Sequence, residues 1–198
     1  MRKLLILLII MGSCISYSDE YSKKISVFDD KIKNHFPGKP SKYYTLSIYG
    51  DVEHDVTTIL LLNKYDQKEY NILRDSLKKL SKISYKPSDS CLLVVNMYTD
   101  ETNWFKTFKT KNTAYLNKEC LKDKLPIPNF WSLNFKTNNI AKLPNDYNIY
   151  VFDASHDTIN KKYLSYNVYM PDYWKHGYSK GVAMNDKTHE IIYWFVLW

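Results

Sequence analysis

Residues 191–198 read Ile191-Ile192-Tyr193-Trp194-Phe195-Val196-Leu197-Trp198 and contain no charged side chain. Side chains on a strand alternate between the two faces of a sheet, so a strand with one solvated face alternates apolar and polar residues. This stretch is apolar at every position, which predicts a central strand buried on both faces. Residues 177–184 read as a strand before it, and Asn185-Asp186-Lys187 as a turn. Together they predict a C-terminal β-hairpin.

Four further segments have the composition of strands. Residues 43–49 and 56–62 are rich in apolar and β-branched side chains, and residues 51–55 between them suit a hairpin loop. Residues 92–97 form a continuous apolar run, which predicts a strand buried on both sides. Residues 147–152 predict another apolar strand.

Two segments have the periodicity of helices. Asp66 and Glu69 form a capping box, which marks a helix start. Apolar residues then recur at helical spacing, at Tyr70, Leu73, Leu77 and Leu80. Earlier in the chain the same spacing occurs at Ile25, Phe28, Ile32 and Phe36, before Pro37-Gly38. We expect an α+β fold: one domain, a mostly antiparallel sheet, one principal helix over about residues 66–82 and the C-terminal hairpin.

Length and composition restrict the class of protein. The chain has 198 residues, 44% of them hydrophobic, and only 5 glycines. This supports one globular domain and excludes a collagenous or largely disordered chain. No second long apolar run follows the N-terminal one, which excludes a polytopic membrane protein.

The charge does not indicate a nucleic-acid partner. The formal net charge is +7, but Arg2 and Arg74 are the only arginines among 28 basic residues. Readers of nucleic acid rely on arginine and on clustered positive charge. The lysines here are scattered among acidic residues, so we expect no nucleic-acid binding.

The aromatic content allows two interpretations. The chain has 5 Trp, 18 Tyr and 8 Phe. Tyrosine commonly fills cores and half-exposed strand faces, which is the interpretation we favour. The alternative is a glycan-binding platform, for which Trp104, Trp131 and Trp174 are the best candidates.

The N-terminus has the layout of a secretory signal peptide. Met1-Arg2-Lys3 is positively charged, residues 4–11 are apolar and too short to span a bilayer, and Met11-Gly12-Ser13-Cys14 follows. This last tetrapeptide resembles the lipobox of bacterial lipoproteins, with Met11 in place of the usual leucine. The resemblance implies cleavage before Cys14 and lipid attached to Cys14.

The resemblance also implies a domain organisation and a location. Residues 1–13 would be the signal peptide, residues 14–24 the lipidated cysteine and a tether, and residues 25–198 the head domain. The lipid would be the contact with the membrane. Ile15 stands where lipoproteins kept at the inner membrane commonly carry Asp, which implies the outer membrane of the cell envelope. The alternative is a conventional signal peptide cleaved after Ser16 or Ser18.

Cys91 and Cys120 are the two cysteines that follow Cys14. In an oxidising envelope they could form a disulfide. They could equally be two separate small hydrophobic side chains, because sequence alone does not test the geometry of a bridge.

Two acid–histidine clusters are the weak candidates for chemistry. Each follows a predicted strand, where a rigid scaffold often holds functional groups, and carboxylates with imidazoles suit a divalent metal. The clusters are Asp51, Glu53, His54 and Asp55, and Asp153, His156 and Asp157. They would form one site if their strands were neighbours.

Neither cluster has a metal-binding spacing, and the chain lacks a nucleophile elbow, a Walker loop and a dinucleotide-binding glycine motif. The sequence therefore favours a non-catalytic envelope lipoprotein that binds or scaffolds a protein or glycan partner, without a cofactor. The alternative is a periplasmic hydrolase or metal-dependent enzyme that uses residues 51–55 and 153–157.

Overall fold

The computed structural model describes residues 17–26, 28–49, 57–95, 118–156 and 170–198. It confirms the predicted class, an α+β domain with a mostly antiparallel sheet. The helices are α1 (Tyr17–Ser26), α2 (Asp30–Lys33) and α3 (Gln67–Lys78). The strands are β1 (Tyr43–Tyr49), β2 (Thr57–Lys64), β3 (Ile83–Tyr85), β4 (Val94–Val95), β5 (Ile127–Pro128), β6 (Tyr147–Ser155), β7 (Tyr178–Asn185) and β8 (Glu190–Leu197).

Six strands form the main sheet in the order β1-β2-β8-β7-β6-β3, and every neighbouring pair is antiparallel. The hairpin of β7 and β8 is the predicted one. Strand β8 pairs along its whole length with β2 on one side and β7 on the other. The predicted central strand is therefore confirmed.

Strand β8 supplies a core on each face of the sheet. One face, here called helix-side, packs against the helices, and the other, loop-side, packs under the loops and the small sheet. The helix-side core contains Ile191, Tyr193, Phe195 and Leu197 of β8. The loop-side core contains Ile192, Trp194 and Val196, together with Trp198 after the strand. All eight of these side chains are at most 2% exposed.

The principal helix begins where the sequence predicts. The Asp66 carboxylate accepts a hydrogen bond from the Glu69 amide at 2.9 Å and so caps α3. Tyr70 and Leu77 are buried on the helix-side core. The helix ends at Lys78, so Leu80 lies beyond it and is 56% exposed.

The predicted helix at Ile25 to Phe36 is divided in two. Its apolar residues are buried as expected, but α1 ends at Ser26 and α2 begins at Asp30. The cause is Asp29, whose carboxylate accepts from the Lys31 amide at 2.8 Å and whose backbone is extended. Such side-chain capping competes with a continuous helix.

The described part of the predicted strand at residues 92–97 ends at Val95 and lies outside the main sheet. Within the described part of the run only Val94–Val95 is a strand, and it pairs in parallel with Ile127–Pro128. Leu92, Leu93, Val94 and Val95 are each at most 1% exposed, as expected for a run buried on both sides. This small sheet covers part of the loop-side core.

The burial of β8 makes a stability test straightforward. Ile192→Ala removes methylene groups from a side chain that is 0% exposed and should lower the free energy of unfolding by about 2–5 kcal/mol. Ile72→Ala makes the same change on α3 at a position that is 61% exposed, and should stay within about 0.5 kcal/mol of the parent. Urea denaturation measures both. Equal losses would show that β8 is not the centre of the core.

Candidate functional site

The two predicted acid–histidine loops do not follow neighbouring strands. Residues 51–55 connect β1 with β2, and residues 153–157 end β6. Strands β2, β8 and β7 lie between β1 and β6. Four strand spacings of about 4.8 Å separate β1 from β6 by about 19 Å. The condition for one shared site, adjacent strands, is therefore not met.

The described part of the second loop has other contacts. Asp153 forms an ion pair with Lys82 and accepts a hydrogen bond from the Tyr178 hydroxyl at 2.7 Å. Burial raises the pKa of Asp153, but the hydrogen bonds from Lys82 and Tyr178 outweigh it and leave the pKa below its ordinary value. The His156 ring packs edge-on against Trp174, with centroids 6.1 Å apart.

The metal hypothesis has no support in the part of the chain that the structure describes, where no three His, Cys, Asp or Glu side chains could share an ion. The other residues proposed for it lie outside the described ranges: Asp51, Glu53, His54, Asp55 and Asp157.

Of the three tryptophans proposed for a glycan platform, the structure describes Trp131 and Trp174. Trp174 is 8% exposed, and its carbonyl oxygen accepts a hydrogen bond from the Trp198 indole at 2.8 Å. Trp131 is half-buried, with its ring centroid 5.6 Å from that of Tyr49. Trp104 lies outside the described residues. Trp174 is therefore a core residue.

Cys91 and Cys120 form a disulfide, with Cα atoms 5.9 Å apart. This is one of the two alternatives that the sequence left open. A neighbouring ion pair joins the same two segments, because Asp89 accepts from the Cys91 amide at 2.7 Å and meets the Lys124 ammonium at 3.2 Å. Because the two sulfurs are bonded to each other, neither cysteine can act as a thiol nucleophile in this state.

The head domain begins closer to Cys14 than the sequence predicts. Cys14 itself lies outside the described residues. The predicted tether, residues 14–24, is shorter in the structure because α1 begins at Tyr17. Tyr21 on α1 is 2% exposed and donates a hydrogen bond to the Pro37 carbonyl at 2.7 Å. None of the helices in the described ranges combines the length and apolar character that crossing a bilayer requires.

Two open clefts flank strand β1, one on each face of the sheet. The helix-side cleft, about 840 Å³, lies between α1 and β1. Its lining residues are Phe28, Leu46, Ser47 and Ile48, with Glu20, Lys23 and Lys24 from α1. The loop-side cleft, about 370 Å³, is lined by Lys42, Tyr43, Tyr44, Thr45, Leu62, Lys64 and Glu190.

The side-chain alternation of β1 places the clefts on opposite faces. Leu46 packs towards the helix-side core, and Leu62, the partner of Thr45 on β2, packs towards the loop-side core. Sequence reasoning missed these clefts because they depend on which strand is at the edge of the sheet. The available signal was the absence of charge throughout Tyr43–Tyr49.

A third open cleft of about 590 Å³ lies in the segment after β5. Its aromatic wall is Trp131 and Phe135, and Lys136 and Lys142 are its charged residues. The Phe135 ring is also packed against Tyr147 of the sheet, with centroids 5.6 Å apart. Phe135 of this cleft therefore also packs against the loop-side core.

His35 is a second feature that sequence reasoning missed. Its ring packs against Phe36 and Phe152, and its Nε2 lies 2.8 Å from the Trp194 carbonyl oxygen of β8. A carbonyl only accepts, so Nε2 carries the proton. Burial, together with the nearby Lys180 charge, lowers the pKa of His35 to about 4, although the hydrogen bond to the Trp194 carbonyl opposes this shift. No sequence signal marks a partner 159 positions away.

This lowered pKa predicts a loss of stability in mild acid. The unfolded chain takes up a proton at His35 near pH 6.5, whereas the folded chain does so only near pH 4. The free energy of unfolding should therefore fall between these values, by up to roughly 3 kcal/mol, and change no further from this group below them. His35→Gln keeps an N–H donor without titrating, so urea denaturation should show a shallower pH dependence for this variant. Identical pH dependence in both proteins would contradict the assignment.

The disulfide predicts a second loss of stability, on reduction. A bridge between cysteines separated by 29 positions restricts the unfolded chain, and its removal should cost about 3–4 kcal/mol. Thermal melts with and without reductant measure this effect. The Cys91→Ala, Cys120→Ala double variant is the matched control and should melt identically in both conditions. A melting temperature of the parent protein that is the same with and without reductant would contradict the prediction.

Comparison with known proteins yields no relative: no family model, no curated protein and no solved structure matches this chain. Its function is therefore inferred from its own residues and their geometry.

Proposed function

We propose that this chain is a lipoprotein of the bacterial cell envelope, anchored through Cys14, whose head domain binds a protein partner at the membrane surface. The observation that carries the proposal is Met11-Gly12-Ser13-Cys14 directly after the apolar run of residues 4–11. A short apolar segment with small residues before a cysteine is typical of export followed by lipid attachment.

The disulfide supports the compartment independently of the N-terminus. Cys91 and Cys120 are paired in the folded head. Disulfides persist in secreted and periplasmic proteins and are rare in the reducing cytosol. The disulfide of the folded domain and the signal-like N-terminus therefore both favour a location on the periplasmic side of the inner membrane.

The position of α1 supports a head held close to the bilayer. Three residue steps separate Cys14 from Tyr17, where α1 begins. An extended chain covers at most about 3.6 Å per step, so the helix would start within about 11 Å of the lipidated cysteine. The surfaces near α1, including the helix-side cleft, would then lie near the membrane surface.

The shapes of the clefts favour binding of a macromolecule. Sites for small molecules are usually enclosed and bury most of the ligand. The clefts beside β1 are instead open along a strand edge. Asp153, a candidate for chemistry, is held by Lys82 and Tyr178, which favours a structural role for this carboxylate. These observations favour a binding head over the alternative hydrolase or metal enzyme.

The anchor would be firm if it follows the lipoprotein pattern. A single acyl chain binds a bilayer marginally, but each buried methylene contributes about 0.8 kcal/mol, so two or more chains hold stably. Ile15 after the cysteine favours the outer membrane as the destination. The head would need no further membrane contact.

Replacing the acylated residue tests the anchor. Cys14→Ala should abolish incorporation of labelled palmitate and release the protein from the membrane fraction or leave it with an uncleaved signal peptide. The melting temperature of the head should not change, since Cys14 precedes α1. The matched control is the Cys91→Ala, Cys120→Ala double variant, which removes cysteines but should still incorporate palmitate. Normal processing and unchanged membrane association of Cys14→Ala would refute the proposal.

A further inference from the structure

The N-terminal helices pack on one face of the sheet through their side chains. We call α1, α2, His35 and Phe36 the N-terminal latch. Its buried apolar residues all belong to the helix-side core and are Tyr21, Ile25, Phe28, Ile32 and Phe36. In the described part of the chain, the loop-side core and the six paired strands of the main sheet contain no latch residue. Such a segment can open locally, because local openings need less free energy than global unfolding.

Two polar contacts hold the end of the latch on the sheet. His35 Nε2 donates a hydrogen bond to the Trp194 carbonyl oxygen of β8 at 2.8 Å. Lys180 of β7 donates to the Lys31 carbonyl oxygen at 2.9 Å and to the Asn34 side-chain oxygen at 3.2 Å. Lys180 therefore fixes α2 to β7 and also brings a positive charge close to the His35 imidazole.

The surroundings of His35 suit only the neutral imidazole. The residue is half-buried, but its Nδ1 atom is buried and has no hydrogen-bond partner in the described part of the chain. Protonation would add an N–H at Nδ1 without an acceptor and a positive charge beside Lys180. Both changes oppose the charged form, which agrees with the lowered pKa of about 4. In a detached latch, water solvates the ring and its pKa returns to the ordinary value of 6.5.

The other charged groups of the neighbouring elements have partners of their own. The Phe152 ring of β6 packs edge-on against His35, and the next residue, Asp153, pairs with Lys82 of β3 and accepts from the Tyr178 hydroxyl. The charged residues of α2 and its cap are Asp29, which caps the helix, Asp30, which pairs with Lys33, and Lys31, which is exposed. The tyrosines of the helix-side core are neutral in mild acid. Lys180 is therefore the charge that acts on His35, and it has the sign of an imidazolium.

We propose that mild acid releases the N-terminal latch from the sheet by protonating His35. Release leaves β8 paired with β2 and β7 and leaves the loop-side core in place. The latch is then a pH-sensitive element of the fold, separate from global unfolding of the domain.

Release would change how far the head reaches from the membrane. With the latch attached, α1 begins three residue steps after Cys14. With the latch released, the first fixed element is β1, which begins 29 positions after Cys14. At about 3.6 Å per step, the maximum reach rises from about 11 Å to about 100 Å. This consequence rests on the proposed lipid anchor, whereas acid release of the latch does not.

Native-state amide hydrogen exchange of the full-length chain in detergent, at pH 7 and pH 5, tests the release. The amides of Ile32, Lys33 and Asn34 bond to carbonyls at the start of α2 and report opening of the latch, while the amides of β8 report global unfolding. After correction for intrinsic exchange at each pH, the latch should open with a larger equilibrium constant than β8. The latch constant should rise roughly twentyfold from pH 7 to pH 5, because the open form binds the proton more tightly.

Variants assign the rise to His35. His35→Gln keeps an N–H donor without titrating, so the twentyfold rise should disappear. His156→Gln is the matched control, because the His156 ring packs against Trp174 of the loop-side core, and it should keep the rise. Full-length Cys14→Ala should also keep it, so that failure of the lipid anchor is distinguishable from failure of the latch. An NMR titration of His35 in the parent protein should give a pKa near 4 and does not depend on a variant that fails to fold.

Several results would overturn the proposal. Equal opening constants of the latch and β8 at both pH values would show that the domain opens only as a whole. A rise of the latch constant that persists in His35→Gln would assign the acid sensitivity to another group. A latch constant that does not change with pH in the parent protein, or an NMR pKa of His35 near 6.5, would show that the folded chain tolerates the charged imidazole.

Discussion

Burial of β8 on both faces is the interaction on which the rest of the structure depends. Its neighbours β2 and β7 satisfy its backbone, so its side chains are free to supply two cores. Complete burial of one such side chain contributes roughly 1.5–3 kcal/mol, whereas the net stability of a domain is about 5–15 kcal/mol. The helices on one face and the loops with the small sheet on the other therefore both depend on this strand.

The size of the β8 side chains also constrains the neighbouring strand. A Cβ at Gly181 would lie 2.1 Å from the Tyr150 carbonyl oxygen and 2.7 Å from the Trp194 ring. Glycine is therefore required for β7 to fit between β6 and the indole of Trp194. Gly177 has a similar role, since a Cβ there would lie 2.4 Å from the Ser155 carbonyl oxygen. In a chain with 5 glycines, two serve this close packing.

Features set by nearby residues were predictable from sequence, whereas features set by distant contacts were not. The unbroken apolar run of β8 predicted a doubly buried strand, and Asp66 with Glu69 predicted the start of α3. The break between α1 and α2 was missed because the capping of one side chain, Asp29, outweighs a helical apolar pattern. The pairing of Cys91 with Cys120 and the contact of His35 with β8 join segments that only the fold brings together. The place of β1 at the end of the described sheet depends on strand order, which the composition of a single strand does not contain.

The most direct test of this account is native-state amide hydrogen exchange of the head domain. Amides of a strand that holds both cores together should exchange only when the whole domain unfolds. We expect the amides of β8 around Trp194 to exchange with the free energy of global unfolding measured in urea, and the amides of edge strands β1 and β3 to exchange at lower free energies. Exchange of β8 by local opening, at a free energy below those of β6 and β7, would contradict its central role.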